Sequence, residues 1–97
     1  MRYSLVLSPE AVEDLRRLKT AHRSAVKEAI ETHLRHELRK ESKSRIKRLR
    51  GVRRPGYRLR VGEIRVFYDV SESTVDILAV IPKSEAASWL GSMEESL

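Results

Sequence analysis

Residues 57–68 alternate apolar with mostly basic side chains on either side of a Gly-X pair. The order is Tyr57-Arg58-Leu59-Arg60-Val61, Gly62-Glu63, then Ile64-Arg65-Val66-Phe67-Tyr68. Two period-two runs joined by such a pair read as a β-hairpin, and a glycine in the first loop position selects a type II′ turn. A two-residue loop also sets the register. Val61 faces Ile64, Arg60 faces Arg65, Leu59 faces Val66, and Arg58 faces Phe67. Tyr57, Leu59, Val61, Ile64, Val66 and Tyr68 then share the face that must meet a core. Arg58, Arg60 and Arg65 share the other face with Phe67. Directly opposed like charges destabilise a strand pair, so Arg60 against Arg65 is a cost that folding alone does not require. A shared anion removes that cost. Arginines splayed into solvent are the bland alternative.

The hairpin lies in the basic third of the chain. Net charge is +6, but residues 35–65 hold thirteen basic and three acidic side chains, whereas residues 66–97 hold one basic and six acidic. One strongly basic segment on a near-neutral remainder is the footprint of a polyanion partner, nucleic acid first. An anionic membrane fits less well, because the basic stretch is not an amphipathic helix with bulky apolar residues. An acidic protein partner is compatible with RNA binding. The 97 residues suffice for one domain with a modest core. There are no cysteines, which excludes disulfides and Cys-zinc sites and is compatible with a reducing cytoplasm. No apolar run reaches the roughly 18 residues of a membrane span, and Ser8-Pro9-Glu10 interrupts any signal-peptide core.

The rest of the chain supplies elements to cover the hairpin. Residues 2–7 read as a strand. Ser8 is a helix N-cap and Pro9 suits the first helical position. Ala11, Val12, Leu15 and Leu18 then fall at helical spacing. A second helix, roughly residues 21–40, carries Val26, Ala29, Ile30, His33, Leu34 and Leu38 on one face. So short a joint implies an antiparallel αα-hairpin. Residues 41–56 read as a basic loop with room for a short strand near 46–49. Residues 74–81 are nearly all apolar, as in a strand buried on both faces. Pro82 ends that strand, and Ser84 can cap a last helix from about 85 to 93 with Ala86, Trp89, Leu90 and Met93 inward. Residues 94–97 read as a frayed tail. The order β-α-α-β-β-β-α predicts a two-layer α+β domain, with the helical hairpin packed on a mainly antiparallel sheet. The arginine-bearing sheet face is expected to stay open.

This arrangement resembles the RelE/ParE superfamily of small toxins from type II toxin–antitoxin pairs. The resemblance is carried by Leu7-Ser8-Pro9-Glu10-Ala11, by Lys47-Arg48-Leu49-Arg50-Gly51, by the hairpin, and by Ile81-Pro82-Lys83-Ser84-Glu85-Ala86 with Trp89-Leu90. It implies a basic face that enters the ribosomal A site and cuts mRNA there without metal or other cofactor. It also implies a cognate antitoxin. A second branch, similar to ParE, inhibits DNA gyrase instead. On this resemblance Arg58 and Arg60 match two basic positions before the turn, Arg65 the residue bracing the scissile phosphate, and Lys83 a basic residue after the last long strand. Ser84 stands where RelE has an arginine, and the last helix lacks the tyrosine RelE uses. A degenerate RNA-binding domain is therefore a third reading.

RNA cleavage requires the 2′-OH to be deprotonated, the phosphate charge stabilised and the 5′ oxygen protonated. Arginine suits the second task through its planar donor fork and suits the proton transfers poorly, since its pKa lies above about 12. Candidate proton carriers are Lys83, Tyr57, Tyr68 and Glu63, with core packing the stronger expectation for both tyrosines. Arg45, Lys47, Arg48, Arg50, Arg53 and Arg54 are expected to contact ribosomal RNA phosphates, giving salt-dependent affinity rather than sequence choice. His33 and His36, three apart with Glu37 beside them, have spacing compatible with a metal, but a half-buried and a surface histidine account for them more simply. Trp89 could stack on a base; its helical spacing favours the core.

Overall fold

The computed structural model, which describes residues 3–35, 45–51 and 53–95, pairs β3 (Tyr57–Val61) and β4 (Ile64–Val70) in the register the alternation dictates. Gly62 takes φ +57 and Glu63 does not have positive φ, the sign pattern of a type II′ turn. The remaining elements are β1 (Ser4–Leu7), α1 (Pro9–Arg17), α2 (Thr20–Leu34), β2 (Ile46–Arg48), β5 (Thr74–Pro82) and α3 (Lys83–Glu95). The strands form one sheet in the order β1-β5-β4-β3-β2, antiparallel except where β1 runs parallel to β5. The α+β class holds, and the short strand near residues 46–49 is β2. The second helix ends at Leu34 with Arg35 as its C-cap, short of the expected residue 40; residues 36–40 lie outside the described residues.

Helices α1 and α2 cover one sheet face, α1 over β1 and β5 and α2 over β3. They bury Ala11, Leu15, Val26, Ile30 and Leu34 against Leu59, Val66, Tyr68, Val75 and Ile77. Ser8 caps α1 as its sequence suggests, its Oγ accepting from Ala11 N at 3.0 Å. The αα corner is held by Arg23, which donates to the Leu15 and Leu18 carbonyls at 3.0 and 2.9 Å. Both carbonyls lie at the C-terminal end of α1, where helical donors run out; Leu15 O also accepts from the Leu18 N–H of the cap, at 3.2 Å.

Strand β5 explains why its sequence shows no alternation. Phe67 pairs with Ala79 but Tyr68 with Ile77, so Leu78 is an extra residue, a β-bulge. The bulge reverses the parity of the strand. Val75 and Ile77 face the helical layer before it and Val80 does so after it, while Ala79 and Ile81 turn to the far face. Helix α1 satisfies the irregular backbone there. Ser8 N donates to Ile77 O at 3.0 Å, Ser8 Oγ donates to Leu78 O at 3.1 Å, and Asp14 Oδ2 accepts from Val80 N at 3.0 Å.

The bulge also corrects the expectation of an open far face. Ala79 and Ile81, joined by Phe67, make an apolar patch that needs a cover. Helix α3 supplies it with Ala86, Trp89 and Leu90, and Leu49 packs at the edge. The Phe67 and Trp89 rings stack at 4.9 Å and 18°. Ser84 is not the cap of α3, which already starts at Lys83; the Lys83 N–H donates to Glu63 O at 2.7 Å. The far face is thus half covered, and its uncovered half carries the arginines.

A candidate phosphate-binding cleft on the open half of the sheet

Sheet register lays the basic residues in two rows across the far face. One row runs Lys47, Arg58, Phe67, Ala79; the next runs Arg60, Arg65, Ile81. Each row is cationic on the β2–β3 side and becomes apolar toward β5. Arg45 joins the second row at the sheet edge, because its carbonyl accepts from Arg60 N at 2.8 Å. The Lys83–Glu63 backbone bond brings the start of α3 against the hairpin turn. A cleft of about 350 Å³ results, lined by Arg45, Arg60, Arg65 and Lys83 together with Val61, Gly62 and Glu63.

Three of the four expected catalytic cations therefore share one cleft, and the fourth sits in the adjoining row. Arg65 is anchored by its own turn, with Nη1 donating to Gly62 O at 2.8 Å and to Ile64 O at 3.1 Å. That leaves the rest of its donor fork for a ligand. Arg58 is half-buried, and its Nε is shielded from water without a hydrogen-bond partner. Burial lowers the Arg58 pKa from its ordinary value, and the charges of Arg65 and Arg60 lower it further. Three arginines crowded on a partly desolvated wall favour an anion with several acceptor oxygens.

The structure divides the expected RNA contacts. Lys47 faces the cleft side beside Arg58, whereas Arg48 lies on the helical side, 6.0 Å above the Tyr57 ring. Arg50 and Arg53 are exposed in the following loop. Arg54 is engaged by Asp69, with Nε 2.7 Å from Oδ2, and Asp69 Oδ1 also accepts from Gly56 N. Asp69 thus clips the basic loop to β4, a role with no sequence signal beyond an acidic residue at a strand end.

The tyrosine candidates are packing residues. Tyr57 and Tyr68 stack at 5.4 Å on the helical side, and Tyr68 is wholly buried. Burial, then Tyr57, pushes the Tyr68 phenol well above its usual pKa. His33 is half-buried, its pKa lowered by burial and then by Arg45; His36 and Glu37 lie outside the described residues. Among the described residues no cluster of His, Asp or Glu has metal-ligand geometry, and no helix is long and apolar enough to cross a membrane.

The comparisons with known proteins agree with this architecture. Residues 5–87 match the family model described as the ParE toxin of the type II toxin–antitoxin system, parDE. A search of curated protein sequences found no match. Among solved structures, the chain is similar to the archaeal RelE–RelB complex from Pyrococcus horikoshii OT3. The two share 28% identity over 86% of this chain and 97% of that one, with a TM-score of 0.70. It is also similar to the toxin–antitoxin complex RelBE2 from Mycobacterium tuberculosis, at 27% identity over 84% of this chain and 99% of that one, TM-score 0.69. A mutant Escherichia coli RelE toxin in the free state shares the fold at 23% identity, over 99% of this chain and 97% of that one, with a TM-score of 0.73. Fold, sheet register and family match converge: the chain belongs to the RelE/ParE family of type II toxin–antitoxin toxins.

Proposed function

We propose that this toxin is an endoribonuclease that cuts mRNA on the ribosome, with the scissile phosphate held in the cationic cleft. The observation that carries the reading is the convergence of Arg60, Arg65, Lys83 and Arg45 on one cleft, with the half-buried Arg58 beside it. Arg60 and Arg65 project from directly paired positions, and that spacing lets two donor forks grip one phosphate. Phosphate charge grows as the 2′ oxygen attacks, and fixed donors aimed at growing charge are often the largest catalytic term. Lys83 at the rim supplies an ammonium for the leaving 5′ oxygen. Lys47, Arg50 and Arg53 would hold ribosomal RNA and make affinity fall steeply with salt.

The test is cleavage of a defined mRNA by purified protein, with and without programmed 70S ribosomes, in EDTA. Cuts that require ribosomes are expected, and Arg65→Ala is expected to abolish them while circular dichroism stays unchanged. Full activity in Arg65→Ala would overturn the site.

The Pyrococcus and Mycobacterium relatives were solved as toxin–antitoxin complexes. We infer that this chain also has a cognate antitoxin, whose acidic or amphipathic segment neutralises the basic face. Gyrase inhibition is the second reading, favoured by the ParE description of the matching family model. A protein that leaves mRNA intact but blocks supercoiling in vitro and induces the SOS response in cells would establish it.

A further inference from the structure

The cleft has abundant charge stabilisation and a leaving-group donor, but its arginines make poor bases. We propose that Glu63 is the general base of the RNA cleavage, taking the proton from the attacking 2′-hydroxyl; this rests on the nuclease reading above. Among the described residues, Glu63 is the one carboxylate that lines the cationic cleft. It is exposed at the hairpin turn. Its backbone carbonyl, bonded to Lys83 N at 2.7 Å, places it at the rim next to the ammonium-bearing residue. The other carriers are placed elsewhere. Tyr57 and Tyr68 are stacked on the opposite face of the sheet. Helix α3 brings no tyrosine. His22 is not among the residues that line the cationic cleft; with Ala21 and Ala25 it lines a second groove, which meets the first at Val61, Gly62 and Glu63 of the turn.

The chemistry balances with these groups alone. The Glu63 carboxylate accepts the 2′-OH proton as the O2′–P bond forms, Arg60 and Arg65 hold the non-bridging oxygens, and the P–O5′ bond breaks. The Lys83 ammonium gives its proton to the departing 5′ oxygen. The products are a 2′,3′-cyclic phosphate and a 5′-hydroxyl, and exchange with water restores Glu63 and Lys83. A carboxylate among cations would otherwise be a defect in a phosphate site, since it repels the ligand. That opposition supplies the test.

Single-turnover cleavage of a defined mRNA on programmed ribosomes is compared for wild type, Glu63→Gln, Glu63→Asp and His22→Asn, with ribosome binding measured in parallel. Glu63→Gln is expected to slow cleavage by about 100-fold or more, the usual contribution of a general base, while binding stays equal or tightens. Glu63→Asp is expected to retain part of the rate, and His22→Asn all of it. Wild-type cleavage with Glu63→Gln equally fast overturns this assignment alone. So does a slow Glu63→Gln whose binding weakens in proportion. If the wild type does not cut at all, the nuclease reading falls and takes this assignment with it.

Discussion

Replacing Arg58 with methionine should stabilise the protein while weakening its site. Arg58 Nε is shielded from water and lacks a hydrogen-bond partner. Its guanidinium is held in its charged form against burial, Arg65 and Arg60. Leaving a polar group desolvated and unpaired costs about 1–3 kcal/mol, and the lower end applies to a side chain that is only half-buried. Relief of repulsion from Arg60 and Arg65 adds roughly half a kcal/mol after solvent screening. Methionine keeps an unbranched stem that can lie against Phe67, the cross-strand partner of Arg58. The sum is about 1–2 kcal/mol in favour of Arg58→Met. With a urea m-value of about 1.5–2 kcal/mol/M, the midpoint should rise by roughly 0.5–1 M. The electrostatic share must shrink with ionic strength, so the gap between the proteins should narrow at about 0.5 M KCl, where screening acts within a few ångströms. Inorganic pyrophosphate should narrow it further by binding the wild-type cleft. A variant less stable than wild type, or a gap unmoved by both salt and pyrophosphate, would refute the claim that this cation cluster is a folding cost retained for a ligand.

Two further outcomes test the placement of α3 and of α2. Trp89→Ala removes a half-buried ring stacked on Phe67. About half the cost of a buried aromatic truncation, plus the ring–ring contribution, predicts a loss of roughly 2–4 kcal/mol by urea denaturation followed by circular dichroism; a loss under about 1 kcal/mol would mean that α3 does not cover this patch. His33 has its pKa lowered by burial, then by Arg45, so the native state resists protonating it. Above the ordinary value of 6.5 both states are neutral there and nothing is gained or lost. As pH falls through that value the unfolded chain takes the proton first and native stability drops, the full penalty being reached below the lowered native value. His33→Gln should therefore lose part of the fall in urea midpoint between neutral and mildly acid pH; an identical fall in both proteins would remove His33 as a contributor.

The hairpin was legible because its constraints are local. A Gly-X pair fixes the turn, the turn fixes the register, and the register fixes which residues share a face. The Ser8-Pro9 start of α1 is local in the same sense. The apolar run of residues 74–81 marks a strand buried on both faces but not which residue faces where, because one extra residue at Leu78 reverses the alternation. No residue type marks that bulge. It is stabilised from a distance by Ser8 and Asp14, about seventy positions away in the chain. The cover over Phe67 followed the bulge out of reach, since the apolar stripe of α3 was visible but its target was not. At the candidate site, the basic residue types point to an anion from the sequence alone, while the meeting of Lys83 and Arg45 with the hairpin depends on a backbone bond and a sheet edge. The Arg54–Asp69 clip likewise depended on tertiary placement.

The bulge that hid from the sequence also locates the cleft. Without it, Ala79 and Ile81 would face the same way as Val75 and Ile77, into the helical layer, and the far face of β5 would present Leu78, Val80 and Pro82 instead. With it, Phe67, Ala79 and Ile81 form one patch at the β4–β5 side, and α3 settles there rather than over the arginines. The strand order then leaves β2 and β3, which carry Lys47, Arg58 and Arg60, beyond the reach of the helix. Arg65 and Lys83 stand on the boundary between covered and open halves. A ligand held there meets low-dielectric packing on one side and solvent on the other, which strengthens its charge contacts and still leaves a path for a long polyanion. An apolar patch placed for folding thus decides which half of the sheet keeps its arginines open to a ligand.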